Sequence, residues 1–102
     1  MKKQAVVSVN DMQDNCDKVA GLMKALAHPQ RLMILCHLAT EQKTVGELET
    51  LCGASQSSVS QYLNRMRLEG LVSSEKRGLF VYYQIEDLRV KKLIGALHKI
   101  FC

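Results

Sequence analysis

The sequence predicts a mainly α-helical fold with one small β-hairpin. It reads as a dimeric winged helix-turn-helix in the order helix, helix, helix, helix, strand, strand, helix. Three observations predict this. Apolar residues recur at intervals of three and four over most of the 102 residues, the spacing of helical faces turned toward a core. A glycine turn divides the stretch Thr44–Gly70, TVGELETLCGASQSSVSQYLNRMRLEG, into a short helix and a longer one. After Gly70 the pattern switches to β-branched and aromatic residues on either side of Arg77-Gly78, the signature of a hairpin.

Each element has its own local reason. Met1–Asn10 is polar and mixed, which predicts a flexible N-terminus rather than a targeting signal. Asn10 or Asp11 is the expected cap of a first helix reaching about Ala27, with Met12, Cys16, Val19, Met23 and Leu26 as its apolar stripe. His28-Pro29 interrupts it, and Pro29 suits the first turn of a second helix from Gln30 to about Ala39. Leu32, Met33, Leu35, Cys36 and Leu38 make that helix apolar over much of its circumference, so it should be central. Glu41-Gln42-Lys43 reads as a polar connector.

Residues 44–70 then form the helix-turn-helix. Leu48, Leu51 and Cys52 face the core from its first helix, and Val59, Tyr62, Leu63 and Met66 from its second. Gly53 can take the left-handed conformation that ends a helix, and Ser55 is a natural cap for the next. Residues 71–85 form the wing, with strands at Leu71–Lys76 and Leu79–Ile85 and a turn at Arg77-Gly78. Asp87 caps a last helix over residues 87–102, with Val90, Leu93, Ile94, Leu97, Ile100 and Phe101 along one side. The whole chain reads as a single domain without repeats or linkers.

Composition narrows the functional classes. No apolar run is long enough to span a membrane, and a cytoplasmic location is expected. In that compartment four cysteines indicate metal binding, redox chemistry or plain burial rather than a disulfide framework. Enzyme signatures are missing: there is no Cys-x-x-Cys, no phosphate-cradling glycine loop, and His28, His37 and His98 form no constellation. The net charge of +4 hints at an anionic partner. Between Thr44 and Ile85, however, Arg65, Arg67, Lys76 and Arg77 are matched by Glu47, Glu49, Glu69 and Glu75. Placement of individual residues must therefore carry the case for DNA.

That placement is specific. A helix-turn-helix presents the N-terminal side chains of its second helix to base edges in the major groove. Gln56, Ser57, Ser58, Ser60 and Gln61 are the candidates for that role. Glutamine can pair with adenine through two hydrogen bonds, and serine serves several bases or phosphates. Arg65 lies further along and is expected at a phosphate, while Lys76 and Arg77 of the wing would reach backbone or minor groove. The apolar stripes on the first and last helices exceed what so small a core needs, and they predict a homodimer with an isologous interface. Two recognition helices would then lie about 34 Å apart, or a multiple of it, on a pseudo-palindromic double-stranded operator.

Three segments carry a resemblance to a known family: Ala25-Leu26-Ala27-His28-Pro29-Gln30-Arg31-Leu32-Met33-Ile34-Leu35, then Ser55–Leu63, then Glu69-Gly70-Leu71-Val72. Over nearly its whole length the chain resembles the ArsR/SmtB family of bacterial winged-helix repressors. The resemblance implies a homodimeric transcriptional regulator whose DNA affinity changes on sensing a chemical signal. Many members sense metals, but this chain departs from both standard metal sites. Thr44-Val45-Gly46 stands where the family has Cys-x-Cys, and Asp87-Leu88-Arg89 puts a cation where a ligating histidine belongs. No metal or other cofactor is expected. The segments Ile34–Leu38 and Leu97–Cys102 look instead like the dithiol branch, the BigR, SqrR and HlyU-like regulators.

That similarity implies that Cys36 and Cys102 form a thiol pair within one subunit, responding to persulfides or oxidants, with the reduced form binding DNA. Cys16 and Cys52 have no counterpart there and read as buried small hydrophobes. Cys102 would sit at a helix C-terminus beside its own carboxylate, which disfavours a thiolate, so Cys36 is the expected attacker. A metal-responsive repressor with a nonstandard site and a winged-helix protein-interaction module remain the alternatives.

Overall fold

The computed structural model describes residues 7–102 of the chain; the first six residues of the expected flexible terminus lie outside the described residues. The described residues form five helices and a small sheet. The helices are α1 (Val9–Leu26), α2 (Pro29–Thr40), α3 (Val45–Cys52), α4 (Gln56–Leu68) and α5 (Leu88–Phe101). The strands are β1 (Lys43–Thr44), β2 (Val72–Arg77) and β3 (Phe80–Ile85). They form an antiparallel sheet in the order β1-β3-β2.

Local chemistry sets most boundaries. Ser8, rather than Asn10 or Asp11, caps α1, its Oγ accepting from the Asp11 N–H at 3.3 Å. The helix therefore starts at Val9, inside the stretch expected to be flexible. His28 caps α2 through Nδ1, which accepts from the Gln30 N–H at 3.2 Å, and Pro29 opens the helix. Thr44 and Glu47 close a reciprocal capping box on α3: Glu47 N–H donates to Thr44 Oγ1, and Thr44 N–H donates to Glu47 Oε1. Gly53 ends α3 at φ 62°, and Ser55 caps α4 by accepting from the Ser58 N–H at 3.1 Å.

Other expectations need correction. Lys43, expected in a polar connector, begins β1, pairs with Tyr83 and buries its stem while its ammonium holds Glu41 at 3.1 Å. A two-residue strand leaves too little pattern to be seen in sequence. The hairpin turn is Gly78-Leu79, one residue later than expected, because Arg77 still pairs with Phe80 in the ladder. Gly78 supplies the positive φ of 62° that a tight hairpin turn needs at its first loop position. Leu71 lies outside β2 and Leu79 outside β3. Leu51, expected in the core, is half exposed on α3, and Cys16, expected to be buried, is exposed on α1.

The core lies between α2, α3, α4 and α5. Leu35, Leu48, Val59, Leu63, Met66 and Val90 are fully buried there, which makes α2 central as its apolar circumference predicts. By contrast the stripes of α1 and α5 are covered only in part. Ala25 and Leu26 are buried, but Met12 and Met23 are about half exposed, and Ile100 and Phe101 largely so. Among the described residues no helix is long and apolar enough to cross a membrane.

Candidate nucleic-acid interface and thiol cleft

The α3–turn–α4 unit and the β2–β3 hairpin set the geometry of the first site. Val59, Leu63 and Met66 anchor α4 in the core, which turns Gln56, Ser57, Ser60, Gln61 and Arg65 outward, all exposed. Ser58 differs: it is half-buried, and its Oγ accepts from Ser55 Oγ at 3.0 Å, so it serves the cap of the helix. Gln61 and Arg65 also line a groove of about 930 Å³ between α1, the start of α2 and α4. Arg65 lies 3.7 Å from Glu69. On the hairpin Lys76 and Arg77 are exposed, and the Arg77 guanidinium stacks 4.3 Å above the Tyr82 ring, a contact that restrains a flexible cation.

Four residues outside the expected set tie α2 to the recognition helix. Arg31 on α2 donates to Glu69 at 2.6 Å, its guanidinium mostly buried with Nε unpartnered. His28 Nε2 and the Tyr62 hydroxyl are hydrogen-bonded at 3.0 Å, with the rings 4.9 Å apart. Because His28 Nδ1 accepts from a backbone N–H, the proton of the neutral ring sits on Nε2 and is donated to Tyr62. Partners 34 and 38 residues apart carry no sequence signal; only packing α2 across α4 brings them together.

The second site is a cleft of about 700 Å³ between α2 and α5. Cys36, half-buried, and Cys102, exposed, both line it. Leu32, Ala39, Ile94, Leu97 and Phe101 supply apolar walls. Burial pushes the Cys36 thiol up, and the nearby Cys102 pushes it further. Both causes act against ready ionisation of Cys36, counter to the expectation that it is the more readily ionised attacker. Burial likewise pushes Cys52, half-buried, up.

No group of three or more histidine, cysteine or carboxylate side chains able to hold a metal occurs among the described residues. Asp87 is engaged elsewhere: it caps α5 and holds the Arg89 guanidinium at 2.7 and 3.0 Å.

A capped recognition helix anchored in the core, followed by a basic hairpin, defines the fold as a winged helix-turn-helix, and the chain's similarity to known regulators makes it a transcriptional regulator's. The profile of the bacterial regulatory protein arsR family matches residues 28–74. The transcriptional activator HlyU of Vibrio cholerae serotype O1 is 38% identical over 98% of this chain and 93% of its own length. The crystal structure of the transcriptional repressor BigR from Xylella fastidiosa superposes with a TM-score of 0.89 at 35% identity, covering 94% of this chain and 98% of that one. A homodimeric winged helix-turn-helix DNA-binding domain of a possible ArsR-family regulator from Mycobacterium bovis superposes at 0.74, with 29% identity over 98% of this chain and 89% of that one. The chain belongs to the ArsR family.

Proposed function

We propose that the protein is a cytoplasmic homodimer that binds a pseudo-palindromic DNA operator and is switched by the Cys36/Cys102 dithiol. The observation that carries the switch is the shared cleft: two thiols 66 positions apart in sequence line one cavity, close enough that Cys102 pushes the Cys36 thiol up. Gln56, Ser57, Ser58, Ser60 and Gln61 read or position the operator, with Ser58 acting through the cap. Arg65, Lys76 and Arg77 hold phosphates or the minor groove. The partly uncovered stripes of α1 and α5 support the dimer, as does the homodimeric neighbour.

The chemistry balances with either class of signal. With a peroxide, one S–S bond forms as the O–O bond breaks, and the two thiol protons leave in two water molecules. With a low-molecular-weight persulfide, each thiol takes one sulfane sulfur and releases the donor's thiol. One cysteine persulfide then displaces hydrogen sulfide from the other, leaving a trisulfide. Either bridge ties α2 to α5. Since α2 is also held to α4 through Arg31–Glu69 and His28–Tyr62, a shift of α2 reaches the recognition helix directly. The typical ~1–3 kcal/mol of allosteric coupling changes operator occupancy by one or two orders of magnitude.

The deciding experiment is intact-protein mass spectrometry after a persulfide donor and, separately, after peroxide. Digestion then locates the cross-link, and operator binding is measured on the same samples. A Cys36–Cys102 bridge that lowers DNA affinity, lost in Cys36→Ser and Cys102→Ser, is the expected result. A bridge without a change in affinity, or no bridge, overturns the switch.

A further inference from the structure

The walls of the α2–α5 cleft are more apolar, and its volume larger, than two thiols require. Leu32, Cys36, Ala39 and Thr40 fall on one face of α2, and Lys91, Gly95, His98 and Cys102 on the facing side of α5. Gly95 is the telling residue. Glycine inside a helix costs roughly 1 kcal/mol relative to alanine, and Gly95 has no positive φ to justify it. A Cβ placed there would meet nothing within 4 Å. No close approach within the subunit requires glycine; what its missing side chain preserves is open space in the cleft. Charge adds a direction. Lys91 and Lys99 both line the cavity, while the carboxylates that precede them on the chain, Asp87 and Glu86, are not among its walls. Lys91 and Cys102 are separated by about 16 Å along the helix axis at 1.5 Å per residue.

We propose that this cleft binds an amphipathic organic hydroperoxide, a long acyl chain ending in a carboxylate, as the preferred oxidant of the dithiol. The inference rests on the dithiol reading and narrows it to one substrate class. The acyl chain lies along Leu32, Ala39 and Ile94, and the carboxylate pairs with Lys91. That places a peroxide group part-way down the chain at Cys36 and Cys102. One thiolate attacks the terminal peroxide oxygen, breaking the O–O bond and releasing the lipid alcohol with a sulfenic acid on the protein. The second thiol displaces water from that sulfenic acid. The dithiol is oxidised by two electrons and the hydroperoxide is reduced to alcohol plus water. A site in which Cys36 is disfavoured as a thiolate is a poor target for small peroxides in bulk water. Binding the oxidant raises its local concentration and offsets that handicap.

The test is the rate of Cys36–Cys102 bridging by quenched mass spectrometry, on the full chain, with linoleic acid hydroperoxide, its methyl ester and hydrogen peroxide. The acid hydroperoxide should react at least about tenfold faster than hydrogen peroxide, since each buried methylene contributes several-fold in binding. The ester should lose part of that advantage, and Lys91→Gln should erase the difference between acid and ester. Gly95→Leu, which fills the cleft, should bring the ratio of acid hydroperoxide to hydrogen peroxide toward one. Lys91 is exposed at the cleft, so Lys91→Gln reports even where Gly95→Leu fails to fold. Equal rates for the acid hydroperoxide and hydrogen peroxide would overturn the proposal and leave the dithiol switch standing. So would a cleft covered by a second copy, seen as the same equality. An absence of bridging with every reagent would remove the switch and this inference together.

Discussion

At Asp87 one carboxylate accepts the Arg89 N–H at 2.9 Å and grips the guanidinium of the same residue. The Arg89 hydrogen bond, more than any other contact, holds its carboxyl below the usual carboxylate range. A depressed value means that the charged form is bound more tightly in the folded state. Its contribution is present above the ordinary carboxylate range and is lost as pH falls through the lowered folded value. Asp87→Ala should cost about 1 kcal/mol, the usual value of an N-cap. Urea melts of the two proteins should converge in acid; a constant gap at all pH values would refute this account. Cys36 runs the other way. Its thiol is pushed up, so alkylation of Cys36 should be slow at neutral pH and continue to accelerate above the ordinary thiol range, as mass-labelled maleimide or iodoacetamide time courses would register. The same shift works against folding in alkali, since the unfolded chain releases that proton sooner.

Among the elements, the helix-turn-helix and the hairpin were legible because their punctuation is local. Gly53, Ser55, Gly70 and Asp87 each act within a few residues of where they stand. Boundaries slipped where a longer-range partner decided them. The turn moved to Gly78-Leu79 because pairing with Phe80 keeps Arg77 in the ladder, and Lys43 became a strand only because Tyr83 of β3 lies beside it. The wing yields a test at this scale. If Arg77, stacked on Tyr82, holds the DNA backbone or minor groove as proposed, Arg77→Ala should weaken binding similarly on specific and random duplexes. Its plot of log affinity against log salt should lose close to one unit of slope. Discrimination between sequences should instead fall with Gln56→Ala, at about 1–3 kcal/mol for a lost paired base contact; titrations of both variants against operator and scrambled DNA separate the two roles.

For the molecule as a whole, the uncovered faces of α1 and α5 matter more than any single contact. Ile100 and Phe101 are 72% and 79% exposed at the end of an otherwise packed helix, and such residues ask for a second surface. Ile100→Glu combined with Phe101→Glu should shift the protein to a monomer by light scattering while leaving the core intact by circular dichroism. Operator affinity should fall by at least about 10²-fold, because a linked second half-site contributes an avidity of that order. A dimer that persists would move the interface to other faces of the molecule.

Taken alone, the sequence determined the number and kind of major elements, the caps of α4 and α5 and the outward face of the recognition helix. Each of these depends on spacings of four residues or fewer. Only the tertiary structure decided that α2 is held to α4 through Arg31–Glu69 and His28–Tyr62. The same packing buries Cys36 against an apolar cleft that disfavours its thiolate. Those properties arise from groups dozens of positions apart brought within a few ångströms, and no local pattern in a chain encodes which distant side chain will occupy that space.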